Sequence, residues 1–201
     1  MNNLSGKLSV GLAALFEIIL LVTGCISIAS SQWKSVTLIL LSMVCLILPF
    51  IITHISNMKN IVLPSSFEIV TVLFIFLAQY LGEINKFYQI FWWWDLLLHA
   101  IFGSYVVKIA LFAIKGIIKK DQDTTKQRFT LFAIIFAFSF SIALGTLWEV
   151  FEFIGDNLLK TNMVKGGLED TLSDLLVKVL AAFITSIVYY RILKNEKLEI
   201  T

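Results

Sequence analysis

Six apolar stretches set the fold: Leu8 to Ala29, Val36 to Thr53, Ile61 to Leu81, Trp94 to Ile114, Phe129 to Phe151 and Thr171 to Leu193. Each is long enough to cross a hydrocarbon core about 30 Å thick as an α-helix. Inside lipid a backbone N–H or C=O finds no water, so spanning stretches of this kind fold as helices. Apolar residues make up 58% of the chain, a share that excludes a disordered segment and fits the membrane class. The links between stretches are short. The expectation is an all-α, polytopic integral membrane protein with six transmembrane helices, forming a single domain over residues 1–201.

The first stretch ends in Ser27, Ile28 and Ala29, a small-x-small pattern like a signal-peptidase site. Its apolar run is too long for a signal-peptide h-region and Glu17 interrupts it, so it reads as a retained span. Cys25 and Cys45 each stand alone in an apolar run, without metal spacing, and read as small core residues. The formal net charge of +2 speaks against nucleic acid as a partner.

Charge placement gives orientation. With the N-terminus inside, the inner segments hold Lys7, Lys59, the cluster Lys115, Lys119, Lys120, Lys126 and Arg128, then Arg191, Lys194 and Lys197. The outer loops hold only Lys34, Lys86, Lys160 and Lys165. The positive-inside rule therefore puts both termini in the cytoplasm. Trp33, Trp92 to Trp94 and Trp148 then mark the outer interface, and Tyr189 and Tyr190 the inner one.

That topology brings three polar clusters to the outer rim. The fourth span opens WWWDLLLHAIFG, with Asp95 and His99 one turn apart. The fifth runs into LWEVFEFIGD, where Glu149, Glu152 and Asp156 fall within roughly 60° of one another on a helix. The sixth opens GGLEDTLSDLL, with Asp170 and Asp174 one turn apart. Asp95 also fits a helix cap, and Asp170 or Thr171 with Asp174 fits a capping box. The fifth-span stripe has no such account, because anions at a helix carboxyl end are unfavourable. A bound cation or lysine partners would hold it. Two carboxylates about 5 Å apart repel by roughly 3 kcal/mol at an effective dielectric of about 20, so six of them cannot all stay ionised without cations. Lys178, one turn deeper on the Asp174 face, is placed to neutralise one.

An oxygen-rich set with one imidazole suits a divalent cation such as Mg, Mn, Ca or Zn. The candidate ligands are Asp95, His99, Glu149, Glu152, Asp156, Asp170 and Asp174, with His99, oriented by Asp95, as a catalytic base or a further ligand. Elsewhere, Glu17 and Lys108 lie at similar depths and read as an ion pair. Ser65 and Glu68, just after Pro64, read as a capping box at the start of the third span. The basic link from Lys115 to Arg128 should lie against anionic headgroups.

The series LGE (Leu81 to Glu83), Phe87 and Tyr88, WWWDLLLH with Gly103, LWEVFEFIGD, Thr161 to Met163 and DTLSDLL resembles the YjdF-like family of bacterial inner-membrane proteins. The match runs in order from the third span to the last. It implies a multi-pass protein of the inner membrane and groups these motifs together, but it implies no reaction. In that family a Gln tends to follow the Asn-Met pair and an acidic residue tends to occupy the place of Lys178; here Val164 and Lys178 stand instead.

Three functions fit the residues. One is a metal-dependent hydrolase or transferase acting on a lipid or lipid-linked substrate. The second is a structural or regulatory membrane protein whose polar cluster locks the helices. The third, a cation or proton transporter, is weakened by only two prolines and no evident repeat. The orientation is tested with an impermeant thiol reagent on intact cells. Lys120→Cys should label only after the membrane is opened, and strong labelling from outside would reverse the topology.

Overall fold

The computed structural model describes residues 3–118, 123–159 and 167–195. Among them every regular element is helical: α1 (Asn3–Ala29), α2 (Trp33–Met58), α3 (Phe67–Ile75), a π-helical continuation of α3 (Phe76–Ile84), short α4 (Phe87–Ile90), α5 (Trp94–Ile117), α6 (Lys126–Leu159) and α7 (Leu168–Asn195). Six helices are long and apolar enough to cross a membrane: Ser5–Ala29, Trp33–Met58, Phe67–Ile84, Trp94–Ile117, Lys126–Ile154 and Leu168–Lys194. The expected all-α, six-span architecture is the one found. Large side chains such as Val22, Val44, Ile135 and Ile184 are more than half exposed along the spans, as expected where lipid replaces protein.

The chain divides into two compact units, Met1–Trp94 and Asp95–Thr201. In the first, α1, α2 and α3 pack through Phe16, Leu20, Ile39, Leu46 and Val72. Phe16 stacks on Phe76 with ring centroids 3.8 Å apart. Hydroxyls inside the helices are satisfied on the preceding turn: Thr23 donates to the Ile19 carbonyl at 2.8 Å, Ser42 to Leu38 at 2.7 Å and Thr71 to Phe67 at 2.8 Å. Pro49 sits within α2, and its carbonyl accepts from Thr53 Oγ1 at 2.9 Å.

Three expectations need correction here. The third span starts at Phe67 rather than Ile61, because Pro64 precedes a turn and the helix begins only after it. The capping box is not formed: the N-cap is Ser66, without a side-chain cap bond, and the Glu68 carboxylate instead accepts from Ser9 Oγ of α1 at 2.6 Å. Cys25 is exposed on α1 rather than in the core, while Cys45 is half-buried.

The second unit holds α5, α6 and α7. Its core is Val107, Ala110, Leu111 and Ile114 of α5, Phe129, Ala133, Ile134 and Ala137 of α6, and Ala182 of α7. Ala137 and Ala182 are fully buried, so the three backbones approach closely, as small residues permit in membranes. Ala182→Leu should therefore overpack this layer and cost about 1–3 kcal/mol, read as a lowered melting temperature in detergent. An unchanged melting temperature would show that the layer has room to spare.

Candidate metal centre

Each helix of the second unit carries chemistry on a face that repeats every four residues. On α5 it is Asp95, His99 and Gly103; on α6 it is Ser141, Gly145 and Glu149; on α7 it is Asp174, Lys178, Ala182 and Ser186. Positions four apart lie one above the other on a helix, so each series forms one stripe. The α5 and α7 stripes meet at very close range. A Cβ built on Gly103 would lie 2.7 Å from the Lys178 carbonyl oxygen, which leaves room for glycine alone. Ser141 of α6 ties in the third helix by donating to the Gly103 carbonyl at 2.8 Å.

Within this frame the Lys178 ammonium pairs with Glu149, both buried, and its stem passes over Gly145, where an added Cβ would come within 3.1 Å of Cδ. One turn toward the start of α7, Asp174 is 2% exposed. Its Oδ2 lies 3.4 Å from His99 Nε2, and Asp95 Oδ1 lies 3.2 Å from the same nitrogen. Asp174 Oδ1 is buried without a hydrogen-bond partner. Ligand atoms of Asp95, His99 and Asp174 all lie within 4.8 Å of one another, so the three side chains form a group able to hold a metal ion.

Both carboxylates approach one imidazole nitrogen. In a relay of the Ser-His-Asp kind the acid takes one ring nitrogen and leaves the other for the substrate, and that division is not made here. The charges are also unequal. Lys178 balances Glu149; Asp95 and Asp174 then face one imidazole, so even an imidazolium leaves an excess negative charge.

The other acidic residues of the sequence reading are placed differently. Glu152, half-buried, accepts from Trp148 Nε1 at 2.9 Å. Asp170 is half-buried in the first turn of α7, a helix that begins at Leu168, so Asp174 sits in its second turn and faces His99 rather than closing a capping box. The Asp156 side chain, like Thr161 to Met163, lies outside the described residues. α6 continues to Leu159, well beyond Glu149, and the dipole effect fades within the last turn. Burial, and not the helix end, is what demands a partner for Glu149. Gly145 and Ser141 were missed by motif reading, although their small-x-x-x-small spacing leading into Glu149 carries the signal.

Residues 10–195 match the family described as "Predicted membrane protein (DUF2238)". The chain belongs to this family. The match agrees with the YjdF-like resemblance seen in its motifs. It is also similar to a bacterial protein of Thermotoga maritima, described as "Uncharacterized protein", at 27% identity over 146 residues, 71% of this chain and 70% of that one. No solved structure matches.

Lys178→Met should be destabilising by about 3 kcal/mol or more, because it strands the buried Glu149 charge. Adding Glu149→Gln should recover much of the loss. A double variant as unstable as the sum of both singles would show that the two residues act separately.

Proposed function

We propose that Asp95, His99 and Asp174 bind a divalent cation at the outer face of a bacterial inner membrane, with both termini in the cytoplasm, and serve a hydrolase or transferase acting on a lipid or lipid-linked substrate. The observation that carries this reading is the spacing of the three side chains around one gap, with a buried, unpartnered Asp174 oxygen beside it. Two ligands held about 2.1 Å from one ion lie about 3.0–3.4 Å apart, which agrees with the separations of His99 Nε2 from the two carboxylates. The donor set of two carboxylates and an imidazole favours Mn or Zn over Ca, which asks for more oxygens.

Three protein ligands leave coordination positions open, and a bound ion of this kind polarises a substrate oxygen or acidifies a water. The chain's own residues hold the frame. Asp95 and Asp174 fix the His99 ring from two sides, and Lys178 neutralises Glu149 so that it does not compete as a ligand. The buried apolar layer of Val107, Ala110, Ala137 and Ala182 supports a dead-end site over a transport path. The shared approach to Nε2 favours His99 as a ligand over a general base.

The second reading, a structural lock, is favoured by the Lys178 pair and the Gly103 contact, which bind the helices whatever occupies the gap. Metal analysis of detergent-purified protein separates the two. Melting curves with chelator and with Mn, Zn, Mg or Ca should diverge, by roughly 2.7 kcal/mol at a hundredfold excess over Kd. Asp174→Asn and His99→Gln should abolish the response, and Glu152→Gln should keep it. If no ion shifts the native protein, the lock is the better account.

A further inference from the structure

A second polar site lies in the first unit and shares no residue with the candidate metal centre. The connection between α2 and α3 lines a half-open cleft of about 450 Å³, within the range of about 300–1,000 Å³ usual for small-molecule clefts. Its lining includes the polar side chains of Thr53, Asn57, Asn60 and Glu68 and the apolar ones of Ile61, Val62 and Leu63. No basic residue lines it among the described residues, and Glu68 is its one charged group. Glu68 is not used as a helix cap, and its Oε2 accepts from the fully buried Ser9 of α1. A carboxylate held in place this way, beside two carboxamide oxygens, is an array of hydrogen-bond acceptors with one negative charge. It complements a group that has several N–H donors and one positive charge.

We propose that this cavity binds the primary ammonium of an ethanolamine phospholipid headgroup. The ammonium donates to Glu68 and to the Asn57 and Asn60 side-chain oxygens, with charge-assisted bonds that are shorter and stronger than neutral ones. Lipid is the source because the cavity sits where two spans end, at Met58 and Phe67, which is headgroup level. The apolar part of the lining, Ile61, Val62 and Leu63, suits the glycerol and upper acyl chain of the same molecule. A soluble amine would leave those apolar side chains unused. On the orientation proposed above, this end faces the cytoplasmic leaflet.

The test measures melting of the full-length protein in detergent against three lipids with the same acyl chains: phosphatidylethanolamine, its N-acetyl derivative and phosphatidylglycerol. Phosphatidylethanolamine should raise the melting temperature by about 5 °C at a hundredfold excess over Kd, and the two lipids that lack the ammonium should not. Glu68→Gln, which keeps an acceptor for Ser9 but removes the charge, should lose that shift. Equal shifts from all three lipids, or a full shift in Glu68→Gln, overturn the proposal. Free ethanolamine producing the same shift as the lipid also overturns it, and assigns the cavity to soluble amines. Should Glu68→Gln fail to fold, the comparison between phosphatidylethanolamine and its N-acetyl derivative on the native protein decides alone.

Discussion

A lysine that is almost wholly buried in a membrane-spanning helix has to be neutralised within reach of its own stem. Lys178 meets that demand through Glu149, and the geometry it requires organises the second unit. Its main chain needs Gly103 on α5 for close approach, and its side chain needs Gly145 on α6 to pass over. One residue thus sets the distance from α7 to both neighbours. Once that register is fixed, Asp174 has little choice, because it lies one turn up the same face and meets His99. The grouping of Asp95, His99 and Asp174 is a consequence of where the ion pair places the helices.

This dependence explains what could be read from the residues and what could not. Helix class and span number follow from apolar runs, since lipid leaves the backbone no alternative. The stripes on α5 and α7 follow from four-residue spacing. Which carboxylate meets which base does not, because that depends on interhelical distances set by Gly103, Gly145 and Ser141, whose spacing signals a close approach but not the helix that makes it. Glu149 and Glu152 read as equals on one stripe, yet one faces Lys178 and the other turns to Trp148 on its own helix. Glu68 shows the same limit: its spacing from Ser65 suits a cap, but the helix starts at Phe67 and tertiary contact with Ser9 claims the carboxylate.

The two units handle buried polarity in different ways. In the first, Thr23, Ser42, Thr53 and Thr71 bond to their own helices, which satisfies them without fixing a neighbour. Ser9 with Glu68 crosses between helices, and Glu68 lines the cavity beside the α2–α3 connection. In the second unit Ser141 with Gly103, Lys178 with Glu149 and His99 with Asp174 all cross from helix to helix. An interhelical hydrogen bond such as that of Ser141 is worth only about 0.6 kcal/mol on average in a membrane, so its value lies in fixing register more than in stability.

The locking and metal-binding readings use the same atoms, and the difference between them is the occupant of one gap. A proton on His99 Nε2 would bridge Asp95 and Asp174, and a divalent ion in its place would need that proton removed. The bridge alone leaves Asp174 Oδ1 without a partner and the carboxylates in excess of the imidazole. A lock built only for packing gains nothing from a second buried acid, since one carboxylate already satisfies one imidazole. The partnerless Oδ1 of Asp174 is therefore the feature that sets the cation reading apart from the lock.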